Sequence, residues 1–274
     1  MENIDFLITT FMRPECVKRL VLSIAKFYPS ARIYIADQNK IHSIDFYKKL
    51  YHEAATAGLR KRPVVEFIKY DSGLSRGRNY LVSRSPSKYK LILDDDFIFT
   101  HETNIEKFLT LLEMADDIGV VGGMVKTGGV PMNYEYKLIV KDDTLYYAPD
   151  GDEYQEYQGI SYKQTGCILN FALYRRDVLE QVRWDDEQKI CEHLEFMYRL
   201  NQAPWKILYT PEVICDHSHQ NTQEYKSMRR RDMYKKLVYK KLGVNRIKYV
   251  FNGHTSILNN DNSVTTRREA PGSW

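Results

Sequence analysis

The first hundred residues alternate between strand and helix patterns, and this alternation restricts the fold more than any other feature of the sequence. Short apolar runs predict strands, and the segments between them repeat apolar residues at the spacing of a helix. The predicted strands are 4–8, 32–36, 64–69 and 91–94, and the predicted helices are 15–27, 43–57 and 73–83. This succession predicts an α/β fold with a mostly parallel central sheet flanked by helices.

Polar residues follow each of these predicted strands. In strand order they are Thr9 and Thr10, Asp37, Asp71, and Asp94. Ligands of open parallel sheets bind at the carboxyl ends of the strands. We therefore expect the four strand ends to form one polar crevice.

Three consecutive aspartates, Asp94, Asp95 and Asp96, follow the fourth apolar run directly. Because side chains alternate along a strand, Asp94 and Asp96 are expected to point to the same side. Hard cations such as Mg²⁺ and Mn²⁺ prefer carboxylate oxygens and keep coordination positions free for substrate phosphates. The triplet is a candidate metal site for a nucleotide, although clustered aspartates also occur in solvated turns.

The segment 71–79 joins a predicted strand to a predicted helix and contains two glycines, two arginines and several hydroxyls. Backbone N–H groups at the start of a helix bind phosphate readily, and Arg76 and Arg78 would add charged donors. The alternative is a capped helix with surface arginines. Beside the aspartate triplet, the segment predicts a pyrophosphate site.

Two further groups are candidates for chemistry. Glu192 and Glu195 share one face at the start of a predicted helix, and one of them is a candidate general base, although acids there also complement the helix dipole. His217 and His219 follow a late predicted strand. An imidazole from one of them would complete a metal site with two aspartates, and His217 is the first candidate.

Beyond residue 100 the pattern is less regular. The predicted helices are 102–114, 177–182 and 190–202, and the predicted strands are 120–125, 168–173, 206–209 and 212–215. Residues 126–164 are irregular, with short antiparallel strands, and eight tyrosines lie between positions 134 and 174. Aromatic rings suit the faces of sugars, but the β-propensity of tyrosine explains them equally well.

Positive charge is concentrated near the C-terminus. Between Tyr225 and Tyr249, ten Lys or Arg and a single Asp give a net charge of +9, so the rest of the chain carries −5 of the total of +4. A helix predicted at 224–242 would place a narrow apolar stripe among these charges. Such a helix suits contact with an anionic membrane or an acidic polysaccharide, or docking on the core of the protein. Nucleic-acid binding is disfavoured because no recognition motif accompanies the charge.

The composition is that of a globular protein of 274 residues, with 43% apolar and 28% charged residues. The four cysteines are widely spaced and form no C-x-x-C pair, so the sequence indicates neither a disulfide framework nor a zinc knuckle and favours buried free thiols in a reducing compartment. No apolar run approaches the roughly 20 residues that cross a bilayer. We therefore expect a cytoplasmic protein, with the basic segment available for peripheral contact at the inner face of the membrane.

Taken in order, these motifs resemble glycosyltransferases of the GT-A fold, in family 2 and its relatives. Residues 9–14 resemble the first strand and uridine loop of that family, and residues 72–79 followed by 93–97 resemble the β1,4-N-acetylgalactosaminyltransferases of ganglioside synthesis and similar bacterial enzymes. The resemblance covers residues 4–100 well and 166–217 more loosely.

This resemblance implies a domain organisation with a small antiparallel region on the acceptor side. The expected units are a GT-A catalytic domain at 1–220, with a nucleotide-binding half at 1–100 and an acceptor half at 101–220, then a basic helical extension at 221–258 and a flexible tail at 259–274.

The resemblance also implies a role for each site residue. Thr9, Arg13, Asp37 and Asp71 would line the nucleoside pocket, Arg78 would lie near the nucleotide, Asp95 would contact ribose or the donor sugar, Asp94, Asp96 and His217 would hold Mn²⁺ or Mg²⁺, and Glu192 would be the catalytic carboxylate. Many relatives have Glu-Asp where this chain has Glu192-His193. The base therefore stays open between Glu192 and Glu195.

The implied activity is metal-dependent, inverting transfer of a hexose or N-acetylhexosamine from a UDP-sugar to an oligosaccharide, polysaccharide or glycolipid, in bacterial surface glycan synthesis. A single activated carboxylate without a second nucleophile favours inversion. One alternative is a phosphohydrolase or nucleotidyltransferase built on Asp94 and Asp96. Such an enzyme would need a phosphate-handling lysine or a nucleophilic aspartate early in the chain, and Asp5 is expected to be buried within a predicted strand. The other is a non-catalytic carbohydrate-binding protein, which leaves the aspartates unexplained.

Overall fold

Two sheets organise the chain, and the larger is built outward from its first strand. The computed structural model describes residues 3–40, 43–132, 135–149, 153–218, 222–229, 232–250 and 253–268. The strands are β1 Ile4–Thr10, β2 Arg32–Asp37, β3 Val64–Phe67, β4 Tyr89–Asp94, β5 Phe97–Phe99, β6 Ile118–Thr127, β7 Val130–Met132, β8 Tyr136–Lys141, β9 Thr144–Pro149, β10 Gln155–Tyr157, β11 Ile160–Gln164, β12 Ala172–Arg175, β13 Lys206–His217, β14 Arg246–Tyr249, β15 His254–Leu258 and β16 Val264–Arg268. The helices are α1 Pro14–Phe27, α2 Ile44–Thr56, α3 Leu74–Arg84, α4 Ile105–Leu112, α5 Arg176–Gln181, α6 Glu192–Asn201, α7 Gln223–Arg229 and α8 Asp232–Leu242.

The parallel arrangement predicted for the first hundred residues is confirmed. Strand β1 pairs in parallel with β2 and β4, and β2 pairs in parallel with β3. The register sets Thr9 beside Asp94 and Thr10 beside Asp37. All seven residues of β1 are buried, because helices cover both faces of a parallel sheet. The polar ends of three strands consequently meet at one edge of the sheet.

The second half of the larger sheet is mixed. Strand β12 runs antiparallel between β4 and β6, and β13 pairs in parallel with β6. A strand was predicted at 168–173, but strand β12 begins only at Ala172. The prediction was partly wrong because an apolar run alone does not distinguish a buried loop from a strand. The two strands predicted at 206–209 and 212–215 are one strand, β13, with an irregularity between Tyr209 and Ile214.

The smaller sheet has the order β16-β15-β14-β9-β8. Its antiparallel pair β8 and β9 lies in residues 126–164, where short antiparallel strands were predicted, whereas β14, β15 and β16 were not predicted. This sheet joins the tyrosine-rich segment to the C-terminal segment. The C-terminal segment was predicted to be helical to residue 258 and flexible beyond it. Instead β14 pairs in parallel with β9, and the rings of Tyr147 and Tyr249 stack at 5.2 Å. Strands of four or five residues with few apolar positions carry too little periodicity to be recognised. Some residues named in the predictions for these two segments lie outside the described residues, namely Tyr134, Arg230, Arg231 and the end of the tail, 269–274.

Helix α8 docks on the core rather than presenting a free apolar face. Its apolar side chains Tyr234, Val238, Tyr239 and Leu242 are buried. The amide of Gln188 donates to the carbonyl oxygen of Tyr234 at 2.7 Å and holds the helix against the loop before α6. Of the three predicted uses of the basic helix, this packing matches docking on the core. No helix among the described residues combines the length and the apolar character needed to span a bilayer.

Candidate active site

A cavity of 280 Å³ opens at the polar ends of β1 and β4. Its wall comes from these strand ends, the start of α3, the loop before β12, the start of α6, and α7. The lining residues are Thr9, Arg13, Leu74, Arg78, Asp94, Asp95, Leu169, Asn170, Ile190, Cys191, Glu192, His193, Tyr225 and Arg229. Six of the residues predicted as site residues therefore meet in one cavity.

A smaller cavity continues from the first toward the ends of β2 and β3. It shares seven residues with the larger cavity, which are Thr9, Arg13, Leu74, Asp95, Ile190, Tyr225 and Arg229. It adds Phe11, Gln38, Asp71, Gly73, Lys189 and Met228. The hydroxyl of Thr9 is buried and lacks a hydrogen-bond partner among the described residues. Buried hydroxyls are normally bonded, so a ligand atom is a natural partner for this one.

Of two aspartates predicted for the nucleoside pocket, Asp71 lines the smaller cavity and Asp37 lines neither cavity. Asp37 accepts hydrogen bonds from the hydroxyl of Tyr47 at 2.9 Å and from the backbone of Asn39 at 2.8 Å, and the neighbouring Gln38 lines the cavity instead. Asp71 does line it, and its carboxylate forms an ion pair of 3.0 Å with Lys189, a residue that the sequence analysis missed.

Arg13 connects the end of β1 to the aspartate triplet. Its guanidinium forms ion pairs with Asp95 and, at 2.5 Å, with Asp96. Burial lowers the pKa of Arg13, but the two carboxylates outweigh burial and raise it. Burial also raises the pKa of Asp95, although Arg13 acts against this and the hydroxyl of Thr10 donates to Asp95 at 2.6 Å. Arg13 therefore stays charged beside the cavity.

The aspartates do not alternate as a continued strand would require. Strand β4 ends at Asp94, and the next two residues form a turn before β5. Asp94 forms an ion pair of 2.9 Å with Arg78, whereas Asp96 lies 3.2 Å from Nε2 of His217. The described residues contain no group of three His, Cys, Asp or Glu side chains arranged to hold a metal, so the predicted three-residue set of Asp94, Asp96 and His217 does not assemble. His219, the alternative ligand, lies outside the described residues.

The pair that does meet, Asp96 and His217, has the chemistry of a partial metal site. Strands β5 and β13 bring them together, because His217 pairs with Phe97 in their antiparallel register. Burial raises the pKa of Asp96, but the hydrogen bond from His217 and the charge of Arg13 lower it to about 2. A carboxylate and an imidazole suit Mn²⁺ or Mg²⁺ when diphosphate oxygens and water complete the coordination.

Arg78 lies at the centre of the cavity wall, with an exposure of 2%. One guanidinium nitrogen donates to Oε1 of Glu192 and the other to Asp94 at 2.9 Å. Burial raises the pKa of Glu192, but Arg78 and then Arg229 outweigh burial and lower it. Glu192 is consequently ionised at neutral pH.

The start of α3 differs from the predicted pyrophosphate site. The backbone N–H of Gly73 donates to Gln38 at 2.8 Å, and that of Leu74 donates to the carbonyl of Lys189 at 2.8 Å. Arg76 is exposed and lies 3.8 Å from Asp186. The N–H groups of Gly73 and Leu74 are therefore occupied by protein, and Arg78 is the arginine of this segment that lines the cavity.

The two candidate bases differ in their surroundings. Glu192 lines the larger cavity and is the first residue of α6. Cys191, which precedes the helix, has a left-handed backbone conformation with a φ of 60°. Glu195 is also buried, but it accepts two hydrogen bonds from Arg199, one turn later on the same helix. Glu195 lines neither the larger cavity nor the smaller one. The geometry favours Glu192.

Helix α7 contributes three cavity residues that were not predicted as site residues, Tyr225, Met228 and Arg229. The guanidinium of Arg13 lies 4.4 Å from the ring centroid of Tyr225, a cation–π contact. Arg229 lines both cavities and is exposed. A count of charges located the basic segment, but its position beside the aspartates depends on the tertiary structure.

This chain is similar to known proteins in both sequence and fold. The profile of Glycosyl transferase family 2 matches residues 5–183. Beta-1,4 N-acetylgalactosaminyltransferase 1 of Mus musculus is 33% identical over 210 residues, which are 71% of this chain and 36% of that protein. Beta-1,4 N-acetylgalactosaminyltransferase 2 of Mus musculus is 29% identical over 193 residues, 68% of this chain and 34% of that protein. The chain spans about a third of the length of these relatives.

Solved structures share the fold. S. aureus TarS 1-349 in complex with UDP-GlcNAc has a TM-score of 0.60 at 12% identity, covering 88% of this chain and 66% of that chain. Mannosyltransferase PcManGT of Pyrobaculum calidifontis in complex with GDP-Man and Mn²⁺ has a TM-score of 0.55 at 10% identity, covering 88% and 64%. These likenesses confirm the predicted GT-A fold. Since the family profile matches well over half of the sequence, the chain belongs to glycosyl transferase family 2.

Proposed function

We propose that this chain is a metal-dependent, inverting glycosyltransferase that moves a hexose or N-acetylhexosamine from a UDP-sugar to a hydroxyl of a saccharide. The observation that carries the proposal is the position of Glu192 in a cavity that also contains Arg13 and Arg229. A departing diphosphate needs positive charge, and an attacking hydroxyl needs a group that accepts its proton. The UDP-GlcNAc complex of TarS and the N-acetylgalactosaminyltransferase relatives support the donor class.

The smaller cavity marks the proposed nucleoside site, although its volume of 30 Å³ encloses only part of a nucleoside. The unpartnered hydroxyl of Thr9 and the side chain of Gln38 provide polar atoms there, and Phe11 provides an aromatic surface for a base. Arg13 and Arg229 line both cavities, so their charges lie where a nucleotide in the smaller cavity would place its diphosphate. This arrangement replaces the predicted phosphate site at the start of α3.

Asp96 and His217 would hold the divalent cation. When bound, the metal would stabilise negative charge on the leaving diphosphate as a Lewis acid. Asp94, also predicted as a ligand, forms an ion pair with Arg78 and so helps to orient the guanidinium that contacts Glu192. Mn²⁺ in the PcManGT complex supports a metal in this fold.

The chain's own residues perform the proton transfer and the charge stabilisation. The carboxylate of Glu192 would take the proton of the acceptor hydroxyl while that oxygen forms its bond to the anomeric carbon. The bond from the anomeric carbon to the diphosphate oxygen breaks, and its electron pair leaves with UDP beside Arg13 and Arg229. One displacement inverts the anomeric centre. A phosphohydrolase would need an early nucleophile, but Asp5 is fully buried and paired with Arg32.

Two measurements test this proposal. Calorimetric titration of UDP should show binding that Mn²⁺ strengthens, and a protein that binds no UDP with or without Mn²⁺ would refute the proposal. Glu192→Gln should abolish transfer, scored as UDP release with a panel of UDP-sugars, while UDP binding persists. Glu195→Gln is the matched control on the same helix and should remain active. An active Glu192→Gln protein would move the base elsewhere.

A further inference from the structure

A third cavity, of 390 Å³, lies between α6, α8 and the smaller sheet. Its lining combines aromatic, hydroxyl and amine groups. Representative residues are His193, Lys235, Tyr239, Tyr249, Ser256 and Thr266. We refer to it as the sheet cavity. Its volume lies in the range of small-molecule sites, about 300–1,000 Å³.

The sheet cavity adjoins the proposed catalytic cavity. Cys191 and His193 line both, and Glu192, the residue between them, lines the catalytic cavity. His193 is held in this position because its Nδ1 lies 3.1 Å from Oδ1 of Asn170 and its Nε2 lies 3.8 Å from Sγ of Cys167. The start of α6 thus forms the boundary between the two cavities, with the proposed base at that boundary.

The chemistry of the sheet cavity matches a sugar. Tyr249 provides apolar ring surface, and Ser256 and Thr266, whose hydroxyl oxygens are 3.0 Å apart across paired strands, provide donors and acceptors. The lining contains no Asp or Glu among the described residues, and Lys235 is its charged member. Saccharides combine an apolar ring face with a rim of hydroxyls, so this combination of groups suits them.

We propose that the sheet cavity binds the acceptor saccharide and directs its reacting hydroxyl toward Glu192. This inference rests on the proposed glycosyl transfer, in which the acceptor approaches from the side opposite the nucleotide. Apart from Tyr147, the lining residues lie between 191 and 266, beyond the residues 5–183 that match the family profile. The proposed acceptor site is therefore built largely by residues outside that match.

Strand β16 offers a matched pair of variants. Thr266 lines the sheet cavity, whereas side-chain alternation turns its neighbour Thr265 to the opposite face, and both are exposed. Thr266→Trp should fill the cavity, and Thr265→Trp introduces the same bulk on the same strand outside it. Lys235→Ala removes the charged group without adding volume.

The test uses the full chain with saturating UDP and Mn²⁺ on an array of immobilised oligosaccharides with terminal glucose, galactose, N-acetylglucosamine or N-acetylgalactosamine. The wild-type protein and Thr265→Trp should bind the same subset, and Thr266→Trp should lose at least tenfold in affinity for it, with a smaller loss for Lys235→Ala. Calorimetry with UDP should show unchanged nucleotide affinity in Thr266→Trp, which establishes that it is folded.

Two results would overturn the acceptor assignment. One is equal saccharide binding by Thr266→Trp and the wild-type protein, and the other is normal UDP binding with no saccharide bound by the wild type. Both leave the nucleotide-dependent function standing. Absence of UDP binding by the wild-type protein would instead refute the proposed function itself.

Discussion

Arg78 and Glu192 form a buried ion pair that links α3 to the start of α6. The guanidinium is 2% exposed and the carboxylate side chain 5% exposed. Because Asp94 accepts from the same guanidinium at 2.9 Å, one arginine orients carboxylates from two distant parts of the chain. Removal of one member would leave an uncompensated buried charge, and this pair therefore connects the stability of the fold with the geometry of the site.

Arg78→Met should lower the free energy of unfolding by about 3–5 kcal/mol, because Glu192 would be buried without its counter-charge. The double variant Arg78→Met/Glu192→Gln should recover part of this loss. Urea unfolding of the two single variants and the double variant measures the coupling energy. Strictly additive effects would show that the two side chains do not interact.

Arg229→Ala should weaken UDP binding about tenfold, which corresponds to about 1.4 kcal/mol, because the variant loses a charged donor at the proposed diphosphate position. Lys226→Ala provides a control, since it removes an exposed positive charge from the same helix without changing the cavity lining. Isothermal titration of each variant with UDP and Mn²⁺ checks the prediction. Equal losses in both variants would indicate a long-range charge effect instead of a contact.

His217→Ala should reduce the enhancement of UDP binding by Mn²⁺ at least about tenfold, because the proposed cation loses one of its two protein ligands. Binding of UDP without metal should change little. His52→Ala, an exposed histidine on α2, serves as the control. The comparison requires calorimetric titrations at several Mn²⁺ concentrations, and an unchanged metal dependence in His217→Ala would exclude this ligand.

Gly77→Ala should destabilise the protein by about 1–3 kcal/mol, because a Cβ at this position would overlap Cγ2 of Thr9 where α3 packs on β1. Thr9→Ser removes that methyl group, so the double variant should regain part of the stability. Ser83→Ala, on the exposed side of α3, should be nearly neutral. Thermal unfolding followed by circular dichroism measures all of these variants, and a stable Gly77→Ala protein would contradict the packing argument.

Stability should rise with pH above about 8 because of Lys90. Burial lowers the pKa of this ammonium to about 8, whereas in the unfolded chain it is about 10.4. Between these values the unfolded state binds more protons, so the free energy of unfolding increases with pH. Lys90→Met should flatten the increase between about pH 8 and 9.5 in urea unfolding, while Lys49→Met, an exposed control, should retain it. The prediction fails if Lys90→Met and the wild type show the same slope.

Much of the nucleotide-binding half could be predicted from the sequence. Strands β1, β2 and β4 each follow a local apolar pattern, and a parallel sheet brings their polar ends together whatever the rest of the chain does. The same local signals located α6 and the acid at its start. Strands β14, β15 and β16 of the smaller sheet could not be found in this way, because they are short and polar and depend on partners distant in the chain.

The sequence by itself determined the parallel α/β order, the polar strand ends and the candidate acids, because these depend on periodicity and on chain direction. Only the tertiary structure decided which partner each charge has. It paired Asp94 with Arg78, placed Asp96 beside His217 and brought Arg229 to the cavity. Such pairings arise where a strand ends or a loop turns, and there side-chain direction depends on long-range packing instead of local alternation.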